Sequence, residues 1–308
     1  MPSHLRSIQS GPVQEVGLAE YVWIGEDGHI HSKSQVIPIG RDQNNDRVPF
    51  PENWTMTEKR NGVPVQRILR VAQYLPDPLR PQPAYVVLCE VMDLHDQPLD
   101  SNHRAKLRKV ALDTGDRQET WWGFRQEYNT HGNSKDQMAL WEHHLGTCLD
   151  AGLLIHSASW DIWDDKDHHW FKVGPRRVPN EIEEQRPVPL VVADHLVLGR
   201  YFLKRLALTH GVYINHIDCN VGVYFSTAAL RDTTSDMDAH KFAEQVQECD
   251  IALQSRRGLD IRKQTVRAGA SAPDRGFTYL CDLGYGALAD PYEVVANLLY
   301  ILHKEVPQ

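Results

Sequence analysis

The sequence has no CxxC pair. Its five cysteines, Cys89, Cys148, Cys219, Cys249 and Cys281, are scattered along the chain. Scattered cysteines in apolar surroundings argue against a zinc ribbon or a disulfide framework and for reduced core thiols. No apolar run approaches the roughly 20 residues that a membrane helix needs. The opening MPSHLRSIQSGPV lacks the apolar stretch of a secretion signal. The expected compartment is therefore the cytoplasm, with no membrane partner. Clustered basic residues are missing too: 33 Lys and Arg stand against 41 Asp and Glu, a formal net charge of −8. A surface for nucleic acid needs the opposite balance, so no nucleic-acid partner is expected. There is no internal repeat and no low-complexity tract.

What is present is the composition of a globular chain, 41% hydrophobic and 24% charged over 308 residues, enough for one large or two modest domains. EYVWI (20–24) alternates and then meets Glu26-Asp27-Gly28, a hairpin turn signal, with HIHSKSQVIP as the returning strand. Residues 40–65 are polar and rich in Pro and Asn, and read as a long loop. AYVVLCEVM (84–92) is an apolar strand, SNHRAKLRKVALD (101–113) opens a helix, and residues 138–151 carry Trp141, Leu145, Cys148 and Leu149 at helical spacing. GLLIHSASWDIW and HHWFKVG read as two strands around the polar loop DDKD, whose Asp164, Asp165 and Asp167 suit a solvated position. A long helix is expected from a cap at Asp194 to Gly211, strands over 212–227, and helices over 238–256 and from Asp290-Pro291 to 304.

The stretch WWGFRQEYNT (121–130) carries the chemistry. Arg125 and Glu127 leave the same face of a strand, because side chains alternate. Two acids at that spacing would cradle a metal, whereas an arginine and an acid would pair with each other.

The order of EYVWIGEDGHIHSKSQ, YVVLCEV, SNHRAK, WWGFRQEYNT, EHHLGTCLDAGLLI, FKVGP, VVADHLVLGRYFLKRLALTHGV, YFSTAALRD and ADPYEV resembles a glutamine synthetase of the shorter, eukaryotic type, over nearly the whole chain. The resemblance implies an α+β fold. It would comprise an N-terminal β-grasp-like domain (1–100) and a C-terminal catalytic-type domain (101–308) with a curved antiparallel sheet and flanking helices. It further implies stacked rings of subunits, and a site with two divalent metals that joins ammonia to glutamate at the expense of ATP.

The residues depart from that pattern. For the first metal, the resemblance carries over Glu127 and, counting on from Gly152, Asp161; the third acid, before FKVGP, is Trp170, with His168 and His169 beside it. For the second metal, the first acid is Arg125, the histidine is Gly222, and the last acid is Cys281. The arginines that follow become Leu283 and Gly284, and the phosphate-binding arginine becomes Pro273. GLDIRKQTVRAGAS closes a nucleotide loop that is longer in the family; the substrate turn is IDCN and the mobile N-domain loop TMTEKRNG.

Arg125 is permanently cationic and would repel a second cation. Glu127 reads either as a metal ligand or as the ion-pair partner of Arg125. Asp161, between Trp160 and Trp163, is costly on a buried strand unless paired or metal-bound. Glu127, Asp161 and either His168 or His169 would form a three-ligand site for one divalent metal, or the two histidines are surface residues. On a regular strand His169 would face away from Trp170, and a bulge would bring either histidine inward. His143 and His144 read as structural, His216 as a weak pocket residue, and Cys281 as a buried thiol or a nucleophile.

Three functions stay open. One is a repurposed, ATP-independent small-molecule enzyme with at most one metal, in which Glu127, Asp161 and Arg125 act on an apolar or aromatic substrate. Another is a non-catalytic scaffold or regulator acting through homo-oligomers. The last is a residual amine–carboxylate ligase.

Overall fold

A computed structural model of the chain describes residues 15–41, 47–60, 63–114, 120–160, 168–174, 188–216, 219–227, 244–246, 248–250, 266–269 and 280–304. The architecture is α+β, with two open sheets and helices packed on them.

The first sheet holds β1 (Val16–Ile24), β2 (Ile30–Arg41), β3 (Arg47–Pro49), β4 (Trp54–Arg60), β5 (Val63–Pro76) and β6 (Ala84–Met92), in the order β3-β2-β1-β6-β5-β4. The β1–β2 hairpin forms where the sequence signals it, with Ile24 opposite Ile30 and Gly28 at a φ of 75°. β6 runs parallel to β1 and antiparallel to β5. All nine of its residues are buried, as an unbroken apolar strand in mid-sheet requires. Tyr21, Trp23, Leu69, Val87, Cys89 and Val91 form a small core on one face, while Val22, Val86 and Leu88 join the main core of the molecule.

The expected loop over 40–65 is corrected: β3 and β4 lie within it, and β5 begins at Val63. β4 is an edge strand; among its described side chains Met56 is buried and Trp54 half-buried, both packed on the small core. Two apolar residues followed by the polar run Thr57-Glu58-Lys59-Arg60 carry little strand signal.

α1 (His103–Thr114) leads to β7 (Trp121–His131), followed by α2 (Ser134–Asp150), β8 (Ile155–Trp160), β9 (His168–Val173), α3 (Val188–His210), β10 (Tyr213–Asn215), β11 (Asn220–Ser226), β12 (Val266–Gly269), β13 (Leu280–Gly286) and α4 (Pro291–Lys304). The second sheet runs β12-β13-β11-β7-β9-β8, with β10 also on β7. β7 is central, and Trp122, Phe124 and Tyr128 on one face meet Val221, Val223, Phe225, Phe171 and Val173 in the main core. α3 lies on that face, buried almost all round from Leu190 to Leu203.

α3 begins at Val188, so Asp194 is not its cap. Asp194 is fully buried inside the helix, gripped by Arg104 Nε and Nη2 at 2.8 Å each and by the hydroxyl of Tyr292 at 2.7 Å. Arg104 also binds Glu90. This ion network ties β6, α1, α3 and α4 together. α4 starts as the sequence predicts: the Asp290 carboxylate accepts the Tyr292 N–H at 2.8 Å.

Candidate functional site

The face of β7 turned away from α3 carries Arg125, Glu127 and Asn129. Pairing with β9 is regular: Arg125 stands opposite Lys172, Glu127 opposite Trp170, Tyr128 opposite His169 and Asn129 opposite His168. On the other side, Gly222 of β11 stands opposite Arg125, and Tyr224 opposite Gly123.

Arg125 and Glu127 are joined, Nη2 to Oε1 at 2.6 Å. The other carboxylate oxygen, Oε2, accepts the Asn220 N–H at 3.1 Å. Glu127 is 7% exposed, so this carboxylate is held by its partners rather than by water. Arg125 is half-buried, and its Nε donates to no protein acceptor.

Lys172 crosses Gly123, which has no side chain to obstruct it, and sets Nζ 5.2 Å from the centre of the Trp170 ring and 5.0 Å from that of Tyr224. An ammonium held between two aromatic rings is stabilised by their negative faces.

Beneath the strand lies a further, half-buried cation. Arg200 of α3 donates from Nε to Gln126 Oε1 at 2.6 Å, and from Nη1 and Nη2 to the carbonyls of Ala289 and Ala287 at 2.9 Å each. Burial lowers its pKa to about 10, still far above neutrality. Nearby His216 is held below its ordinary value by burial and then by the Arg200 charge, opposed by a hydrogen bond to the Glu127 backbone.

The expected site residues separate on this frame. Arg125 and Glu127 come together as an ion pair. His169 is corrected: no bulge interrupts β9 beside it, so it faces the core, 2% exposed, with Nε2 2.8 Å from the Thr130 hydroxyl and its ring against Tyr128 and Trp160. It does not join Glu127 in a ligand set. The His168 backbone pairs with Asn129, and its side chain lies outside the described set, as does all of Asp161. The backbone of Cys281 is registered opposite Phe225, and its side chain is likewise outside that set.

The family-type metal pair does not fit these residues. By the resemblance drawn above Arg125 falls at one ligand position and Glu127 at the next, and here the guanidinium and a backbone amide engage both Glu127 oxygens. Among the described residues no group of three or more His, Cys, Asp or Glu side chains is arranged to hold a metal, and no helix is long and apolar enough to cross a membrane.

Sequence reasoning missed Lys172, Tyr224 and Asn220. Lys172 follows Trp170 by two residues and shares its strand face, so the alternation in HHWFKVG contained that signal. The Asn220 backbone donor had none, because it arises only when β11 pairs with β7.

No protein-family model matches the chain. Curated proteins resemble it over almost their full length. It is 26% identical to the chloroplastic glutamine synthetase of Chlamydomonas reinhardtii, covering 93% of this chain and 91% of that one. It is 24% identical to a glutamine synthetase of Fusarium solani subsp. phaseoli (97% and 95%) and 27% identical to one of Debaryomyces hansenii (100% and 94%). Among solved structures, a crystal structure described as a novel glutamine synthase homolog superposes with a TM-score of 0.59 at 13% identity, over 94% of this chain and 82% of the other. That likeness establishes the fold.

Proposed function

We propose, for a chain that is a divergent member of the glutamine synthetase family, an ATP-independent small-molecule enzyme that works without the metal pair. The observation that carries this reading is the 2.6 Å ion pair between Arg125 and Glu127. Phosphoryl transfer relies on divalent metal to neutralise the oxygens of the moving phosphate and to align it. A guanidinium at a ligand position brings positive charge without open coordination sites, and it uses up the neighbouring carboxylate. The replacement of the phosphate arginine by Pro273 and the closure of the nucleotide loop by GLDIRKQTVRAGAS point the same way. The test is ATP binding and glutamine formation in the presence of magnesium, ammonium and glutamate. No nucleotide binding and no glutamine are expected; turnover would restore the ligase reading.

A second reading is a non-catalytic scaffold or regulator assembled as rings of its own copies. It is favoured by the engagement of both Glu127 oxygens, which leaves that carboxylate poorly placed to move a proton. Co-expression with an active glutamine synthetase separates the two readings. A scaffold enters mixed rings and changes the partner's activity, while an enzyme stays apart.

A further inference from the structure

We infer that His143 of α2 and His210 of α3 form a two-histidine site for a nitrogen-preferring divalent ion, nickel(II) or copper(II), which ties the two helices together. The site lies on the helical side of the second sheet, away from the Arg125 face, and does not depend on the reading above.

The neighbouring histidines of α2 serve different ends. His144 is buried, with Nε2 3.0 Å from the Gly199 carbonyl of α3 and its ring edge-on to Phe171. That contact holds the two helices side by side. His143, about 100° further round the helix, points elsewhere. It is exposed, and its Nδ1 lies 3.1 Å from Nε2 of the half-buried His210. The ring centres are 5.3 Å apart and the ring planes stand at 88°.

Metal–imidazole bonds are about 2.0–2.1 Å long, so two imidazole nitrogens on one ion, at angles of about 90–110°, stand about 2.9–3.4 Å apart. The 3.1 Å separation falls inside that range. Rotation about side-chain bonds turns both lone pairs onto one point, while the backbone stays where His144 holds it. In the present contact one ring donates and the other accepts. On binding, the donor ring shifts its proton to its other nitrogen, so two neutral rings take up the ion without releasing a proton.

His210 is the last residue of α3. The carbonyls at a helix C-terminus carry partial negative charge, which favours a cation there. Affinity at imidazole rises toward copper, whereas magnesium and manganese prefer oxygen ligands. Water completes the coordination. With only two protein ligands the ion exchanges with solvent, so the chain as purified carries little of it, zinc included.

The test is isothermal titration of the full chain with nickel chloride, paired with thermal melts. Nickel is expected to bind and to raise the melting temperature, because it joins two elements of the folded state. His143→Ala and His210→Ala should each weaken this binding by at least about tenfold, as loss of a direct ligand. The double variant should be no worse than either single one, since the chelate is gone once one arm is removed. His29→Ala, at an exposed histidine near the β1–β2 turn, should leave binding unchanged. Circular dichroism should be the same in all four variants.

Absence of nickel binding would overturn the inference. So would binding that survives both single substitutions, losses that add in the double variant, or an equal loss in His29→Ala. The last two results would assign the nickel to scattered surface histidines and leave the His143–His210 contact as a hydrogen bond alone.

Discussion

Arg104 and Asp194, 90 residues apart in sequence, meet in a two-pronged contact with both distances at 2.8 Å and both side chains nearly shut off from water. Removing Asp194 leaves the buried Arg104 with Glu90 as its remaining acid and takes the acceptor from the Tyr292 hydroxyl, at a cost of up to about 3–5 kcal/mol. Asp194→Ala is therefore expected to lower unfolding free energy by about that amount in urea titrations. The loss would be seen together in the first sheet and in α3, because Arg104 also binds Glu90 of β6.

His144 is enclosed between α2 and α3, with Nε2 3.0 Å from the Gly199 carbonyl. Burial pushes its pKa down to about 4 from 6.5. As pH falls, the unfolded chain takes up this proton first. Stability should therefore decline from about pH 6.5 to about pH 4 and level off below, by about 3 kcal/mol in all. Paired carboxylates such as Glu90, whose pKa its arginine partners hold low, lose their contribution only at lower pH. Denaturant titrations of His144→Gln at pH 7, 6 and 5 should show a flatter profile than the parent protein.

Gly174 closes β9 at a φ of +65°, and a Cβ there would lie 2.5 Å from the Trp122 carbonyl. Neither the backbone angle nor the carbonyl can yield cheaply. Gly174→Ala should cost about 2 kcal/mol or more, read as a fall in melting temperature. It should also disturb the cation–π arrangement of Lys172 two residues upstream.

Arg125→Glu would place two carboxylates on one strand face. They should repel, destabilising the metal-free variant by about 1 kcal/mol. Manganese should recover that loss in thermal melts and have no effect on the parent protein. Equal manganese responses in both would mean that Arg125 does not determine the metal preference of this face.

Much of the fold was legible because the strongest elements repeat their own logic. β6 is apolar throughout, and β7 alternates large core residues with small or polar ones. The Asp290-Pro291 start of α4 is a cap followed by a residue suited to a first turn. β4 was hard to see because, among its described residues, only Trp54 and Met56 pack inward, ahead of a polar run. Asp194 was misplaced because an aspartate at the edge of an apolar run signals a cap, whereas its actual role depends on Arg104, 90 residues upstream. At the site, the same-face relation of Arg125 and Glu127 followed from strand geometry alone. The contact of Glu127 with the Asn220 N–H and the reach of Lys172 to Tyr224 depend on strands brought together from distant parts of the chain.

The most direct test of the central claim is elemental analysis of protein purified under metal-replete conditions, alongside Glu127→Ala. An Arg125–Glu127 pair standing in place of metal predicts well under one magnesium, manganese or zinc per chain, unchanged by the substitution. One or more metals per chain, lost in Glu127→Ala, would contradict it and return Glu127 to the role of a ligand.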